Sequence, residues 1–253
     1  MPEPTALILL ALVGIVAGGI AGVVGFGSAV LLLPVCNSIF GPLASVGILT
    51  VAALVGNLSR VGLWYRDIEW KIVWRYWLGG IPMAILGALL LVKLDSKLIP
   101  LGFGIFIMFL VPARRWVDKT NRRVRLNHFP VLGGVMGFLS AIVATTGPIN
   151  APFFLSYGLV QGSYLSTEAL STAGIHLTKT LAYGKLSALD SRSLIAGLAL
   201  GGCLLLGASL SKPLVKNLKE EQFTLVVEWL LVLSGLLLIG QAMLSLAGQT
   251  SSH

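Results

Sequence analysis

Charge is what this chain has least of. Only 11% of its 253 residues are Asp, Glu, Lys or Arg, against about 25% in soluble globular proteins. No charged residue lies between Glu3 and Arg60, and none between Arg125 and Glu168. One membrane crossing takes about 20 apolar residues, so the first gap has room for two. Hydrophobic residues make up 56% of the chain, and mean hydropathy is +0.90. A soluble core of this size cannot hide that much apolar surface. The expected fold class is therefore an all-α, polytopic integral membrane protein, with the bilayer as its main partner.

Other scarcities narrow the chemistry. The two cysteines, Cys36 and Cys203, both sit in apolar runs, which excludes a disulfide framework and a cysteine metal site. HExxH, GxSxG and P-loop patterns are absent, so the chain reads as neither an enzyme nor an ATP-driven pump, with no cofactor and no metal. Acids in the apolar runs are nearly confined to Glu168 and Glu228, which leaves no intramembrane carboxylate dyad. The N-terminal run lacks a positive leading region and reads as a first membrane segment rather than a cleaved signal. A net charge of +8 could suggest nucleic acid. The basic residues instead cluster in short loops, as the positive-inside rule requires.

What is present falls into about eight apolar segments, roughly 6–35, 43–64, 72–92, 98–113, 129–156, 166–188, 193–212 and 222–247. The longest interruption, Ala113 to His128, holds six basic residues and one acid. It divides the chain into a first transmembrane repeat (1–112), a basic cytoplasmic loop (113–128) and a second transmembrane repeat (129–253). The halves resemble each other. "GIVAGGIAGVVGFGSAVLLLP" pairs with "GGVMGFLSAIVATTGPINAPFF", and "NLSR" at Asn57 to Arg60 pairs with "HLTK" at His176 to Lys179, 119 residues on. "LGA" recurs at Leu86 and Leu206, and "VK" at Val92 and Val215. Four matches in one order point to two four-segment repeats, a device typical of secondary transporters.

The first segment of each half is too long for an untilted helix. It is interrupted at "GFGS" (Gly25, Gly27, Ser28) and at "TTGP" (Thr145, Thr146, Gly147), with Pro34 and Pro152 beyond. Breaks free backbone groups that lipid cannot satisfy, so they survive only beside protein or a water-filled cavity. Broken segments at matching places in two halves mark a transporter's binding site. A rival reading makes "GIVAGGIAG" an unbroken helix that packs through its small residues.

Two arrangements obey the charge rule. If every segment crosses once, eleven basic loop residues face five, and both termini are cytoplasmic. If the broken segments enter and return, the halves are inverted, twelve basic residues face four, and the termini are outside. The inverted arrangement is favoured.

Arg60 and Lys179 are cations inside membrane segments, which marks function. Arg60 lies near Trp64 and Tyr65 and could instead snorkel to an interface. Neither has an evident acidic partner; Glu168 stands eleven residues before Lys179, about 16 Å along one helix. Unpaired cations facing a cavity suit an anion, and half-helix N-termini at the breaks would add N–H donors. Ser28, Asn57, Ser59, Thr145, Thr146, Asn150, His176, Thr178 and Thr180 are the supporting polar groups. Ser59 and Thr178 could equally bond their own helix. His176, three residues before Lys179, could carry a coupling proton or be a buried structural imidazole.

The broken Gly-rich segments "GGIAGVVGFGSAVLLLP" and "FLSAIVATTGPINAPFF", the eight-segment layout and the basic central loop resemble the TauE/SafE family of sulfite and organosulfur exporters. The resemblance spans essentially the whole chain. The family's first glycine cluster is matched by Gly22, Gly25 and Gly27, while the second repeat keeps one glycine in "TTGP". The resemblance implies a multi-pass permease of the bacterial inner membrane, built from two pseudosymmetric halves. Its substrate would be a small sulfur-containing or organic anion such as sulfite or sulfoacetate, moved outward. An ion-coupled importer of a small organic anion and a non-transporting membrane subunit are the alternatives, and a monomer and a homodimer both stay open.

Overall fold

The computed structural model describes residues 3–93, 124–143, 146–185 and 189–230. Among them the chain is helical and connected by short turns. Helices α1 (Pro4–Val24), α2 (Ser28–Phe40), α3 (Pro42–Leu63) and α4 (Trp70–Lys93) come from the first half. Helices α5 (Phe129–Val143), α6 (Gly147–Tyr157), α7 (Gln161–Lys185) and α8 (Ser191–Asn217) come from the second, and residues 220–230 are again helical. Among the described residues, four helices are long and apolar enough to cross a membrane. The expected segment at 98–113 lies outside the described residues, as do most of the basic loop and residues 231–247.

Each long first segment is two helices rather than one. The cause in the first half is local. Gly25 and Gly27 adopt φ of +86° and +99°, a left-handed conformation that side chains with a Cβ resist. The Gly25 N–H closes α1 on the Ala21 carbonyl at 2.8 Å, and α2 starts afresh at Ser28. In the second half Gly147 and Pro148 open α6, where a proline costs no hydrogen bond.

Contacts fix the helix directions. Cβ atoms placed on Gly14, Gly18 and Gly22 of α1 would meet Cys203 Cβ at 3.0 Å, Leu204 Cα at 2.6 Å and Ala208 Cα at 2.7 Å. The contacts advance together, so α1 and α8 run parallel. Helix α3 is parallel to α8 by the same test, with Gly197 against Val51 and Gly201 against Val55. Helices α4 and α5 advance together from Gly80 against Gly133 to Gly87 against Ala141. Helices α4 and α7 do so from Glu69 on Thr167 to Trp77 on Ser171. Helices α3 and α7 oppose each other, since Asn57 meets Thr172 while Arg60 meets Glu168. Thus α1, α3 and α8 point one way, and α4, α5 and α7 the other.

With α1 and α3 parallel, α2 has to carry the chain back. Its 13 residues give about 20 Å of helix, against about 32 Å for the 21 residues of α1. Helix α6 likewise returns along α5, since Phe129 at the start of α5 packs edge-on against Phe154 and Tyr157 near the end of α6. Both broken segments therefore enter and turn back. The 64–69 turn, residues 124–128 and the end of α8 fall at one end of the bundle, and the end of α7 and the start of α8 at the other. Leu12, Val16, Leu78, Leu181 and Leu210 point outward and stay exposed, which suits contact with lipid tails.

Candidate functional site

The two breaks meet. A Cβ on Gly147 would touch Phe26 Cα at 3.4 Å and clash with the Phe26 side chain, so the turn of one hairpin abuts the first residue of the other's returning helix. Glycine at position 147 permits that approach. Thr146, whose carbonyl accepts from the Ile149 and Asn150 N–H groups at 3.0 and 3.1 Å, caps α6 there. Thr145 lies outside the described residues.

Breaking a helix orphans its last carbonyls, and in lipid these need protein partners. In the first hairpin, Tyr164 donates its hydroxyl to the Val24 carbonyl at 2.9 Å and Arg60 Nη1 donates to the Gly25 carbonyl at 2.5 Å. In the second, Lys179 Nζ donates to the Ser140 carbonyl at 2.8 Å and Tyr183 to the Ala141 carbonyl at 2.6 Å. Each break is held by one cation and one tyrosine. A cation at a helix C-terminus also meets the negative end of the helix dipole.

Arg60 does not snorkel. It is 5% exposed, and its Nη1 also reaches Glu168 Oε2 at 3.1 Å. That pair corrects the expectation that Arg60 has no acidic partner: the partner lies across the helix interface rather than along one helix. Arg60 Nη2 donates to Asn57 Oδ1, Asn57 Nδ2 donates to Thr172 Oγ1 at 3.0 Å, and Thr172 donates to the Glu168 carbonyl at 2.9 Å. Asn150, fully buried on α6, donates to the Tyr76 hydroxyl at 3.0 Å and stands beside the Glu168 carboxylate. This network ties α1, α3, α4, α6 and α7 together at the meeting of the breaks.

A small cavity opens beside it, lined by Ser28, Asn57 and Arg60 with Gly18, Gly56 and Leu204. Its volume is ≈ 20 Å³, room for little more than one water. The structure thus brings Ser28, Asn57, Arg60 and Gly25 to one place, while Asn150 is bonded to Tyr76 and is not part of the lining. Lys179 is fully buried at the other break and is not part of this lining. The Nδ1 of His176 is buried with no hydrogen-bond partner among the described residues. Three supporting hydroxyls prove to be structural: Ser59, Thr178 and Thr180 donate to the carbonyls of Gly56, Gly174 and His176 in their own helices. Glu168, Tyr164 and Tyr183 are the residues that reading along the chain missed. An acid in an apolar helix was the available signal for Glu168; the tyrosines gave none.

Paired broken hairpins, a buried ion pair at their junction and a lipid-facing apolar exterior define an α-helical membrane protein of the transporter class. A family model described as "Sulfite exporter TauE/SafE" matches residues 10–238, and the chain belongs to that family. Membership implies a membrane transporter of sulfite or organosulfur anions rather than an enzyme. The search of curated proteins found no match, and neither did the search of solved structures.

Proposed function

We propose that the chain is a multi-pass secondary transporter of the bacterial cytoplasmic membrane that exports a small sulfite- or sulfonate-like anion. The single observation that carries this reading is the cavity of Ser28, Asn57 and Arg60 beside the junction of two broken helices. An oxyanion entering there meets the Arg60 guanidinium, the Asn57 amide and the start of α2, all of them hydrogen-bond donors or positive ends of dipoles. The space is too small for a sulfonate as it stands, so this conformation is read as closed, with Arg60 held by Glu168 until the anion arrives.

The halves form an inverted repeat in this reading. Exchanging α1, α3 and α4 with α5, α7 and α8 turns the parallel pair α1·α8 into α5·α4, and α3·α8 into α7·α4. Both members of each exchange are packed pairs in the structure. Domains 1–112 and 129–253 are then the two halves, joined by the basic cytoplasmic loop. Lys179 with His176 occupies in the second half the place of Arg60 with Asn57, and joins the anion path when the transporter faces the other side. Thr146 and Gly147 at the second break are in this reading the counterparts of Gly25, Gly27 and Ser28 at the first.

The test is flux of sulfite and of a sulfonate in proteoliposomes containing the purified protein. Wild type is expected to release the anion, and Arg60→Ala and Lys179→Ala to reduce the rate at least about tenfold. Near-normal flux in both variants would overturn the site. No flux by the wild type would favour a non-transporting membrane subunit.

A further inference from the structure

We infer that Glu168 is the proton-binding site of the transport cycle, taking up one proton as Arg60 takes up the anion. The inference rests on the proposed anion site. Its starting point is charge count in a buried place. Arg60 and Glu168 are 5% and 2% exposed and neutralise each other at 3.1 Å. The cavity that reaches Arg60 also holds Ser28 and Asn57, and neither can supply a second positive charge.

An anion that binds Arg60 there competes with the Glu168 carboxylate. If Glu168 stays ionised, two negative charges share one buried cation, and the uncompensated charge is costly. Protonating Glu168 removes that excess: Arg60 keeps one anionic partner, and the neutral carboxyl becomes a hydrogen-bond donor. The balance closes. One proton from water bonds to a Glu168 carboxylate oxygen, one monoanion replaces that oxygen on the guanidinium, and net buried charge is zero before and after.

The groups facing Glu168 support this assignment. Arg60 on α3 is the only cation within reach of its carboxylate among the described residues. Tyr76 on α4 is held by Asn150 of α6, and Tyr164, one turn back on α7, is committed to the Val24 carbonyl of α1. His176 stands eight residues further along α7, about 12 Å away, and Lys179 is bound to Ser140. A proton arriving with the anion has Glu168 as its acceptor at the ion pair.

The consequence is that proton and anion bind together. Anion binding strengthens as pH falls. On the alkaline side of the Glu168 transition the apparent affinity weakens about tenfold per pH unit, as linkage of one proton to one anion requires. Anion and proton then cross together without net charge, so the sum of their two concentration gradients, and not the membrane potential, drives export.

The experiment measures proton uptake when methanesulfonate, a monoanion that does not itself titrate near neutrality, is added to purified protein in weakly buffered detergent solution containing a pH indicator. Wild type is expected to take up about one proton per anion bound, and Glu168→Asp to keep that uptake. Glu168→Gln is expected to bind the anion with no uptake and no pH dependence, and His176→Gln to keep about one proton taken up per anion bound, whatever its affinity. Anion binding without uptake in the wild type, or equal uptake in Glu168→Gln, would overturn the assignment and leave the transport reading standing. Loss of uptake in His176→Gln with retention in Glu168→Gln would move the proton site to His176 and overturn it too. If neither methanesulfonate nor sulfite binds wild type, the anion site itself fails and the proton site with it.

Discussion

Arg60 shows how one side chain can hold a helix break, a carboxylate and an amide together. Its guanidinium satisfies the Gly25 carbonyl at the end of a broken helix, pairs with Glu168 and orders Asn57. Removing one partner of such a buried pair leaves the other charged and alone, at a cost of about 3–5 kcal/mol. Arg60→Ala and Glu168→Ala are each expected to lower the unfolding free energy of the detergent-solubilised protein by that order, read as a lower denaturation midpoint. The double variant Arg60→Met with Glu168→Gln should recover most of the loss, because neither half is then an orphaned charge, yet it should not carry anion. Additive losses in the double variant would show that the pair is not coupled. The sequence made Arg60 and Lys179 legible as cations where lipid forbids idle ones. It hid Glu168 as a partner because 108 positions separate it from Arg60, and only the crossing of α3 and α7 brings them within 3.1 Å. The hydroxyls of Ser59 and Thr178 illustrate the opposite outcome. Each lies in the same four-residue pattern as a buried cation, and each turns back to its own helix.

At the scale of helices, glycine does two separate jobs that look alike along the chain. Breaking α1 and packing it read as rival explanations of one Gly-rich run, and the structure contains both. Gly25 and Gly27 carry the positive φ values that end the helix, while Gly14, Gly18 and Gly22, four residues apart, let α1 lie against α8 backbone to backbone. Without a hydrophobic driving force between helices in lipid, such close approach supplies much of the association. The α4–α5 contact uses the same device, since Cβ atoms on Gly79 and Gly133 would lie 3.0 Å from Gly134 N and 2.8 Å from the Tyr76 carbonyl carbon. Gly18→Val and Gly133→Val are therefore expected to force the helices apart, broadening the size-exclusion profile and lowering thermal stability by several degrees or more. Gly62→Ala, where an added Cβ meets nothing within 4 Å, should be neutral or stabilising by about 0.5–1 kcal/mol. Equal effects at all three positions would sink the assignment. The sequence offered the fold-back of each interrupted segment as the favoured of two arrangements, without the residues that make the turns. Turn geometry depends on φ at Gly25 and Gly27 and on partners such as Tyr164 and Tyr183, distant in the chain and ordinary in composition.

For the whole molecule, the two charge-balanced arrangements differ at one accessible place. Single crossings by every segment put the 64–69 turn and the α7–α8 turn on the same, cytoplasmic side. Hairpins that enter and return put them on opposite sides, which is how the helix directions of α3, α4, α7 and α8 arrange them. The basic end then gathers Arg66, Lys71, Arg75, Lys212, Lys216 and Lys219 with exposed Tyr65 and Trp70, the composition of a cytoplasmic interface. Arg66 and Arg192 are both exposed, so each can be replaced by cysteine in a background where Cys36 and Cys203 are alanine. A membrane-impermeant maleimide applied to intact cells is expected to label Arg192→Cys and to reach Arg66→Cys only after permeabilisation. Protection of both positions in intact cells would return the chain to eight simple crossings. The inverted relation of the halves would then fall, and with it the idea that Lys179 takes the role of Arg60 when the transporter faces the other way. Opposite labelling leaves the two broken hairpins entering from opposite faces and meeting where Phe26 touches Gly147. Alternating access from such a junction needs only that one hairpin and its braces rock against the other.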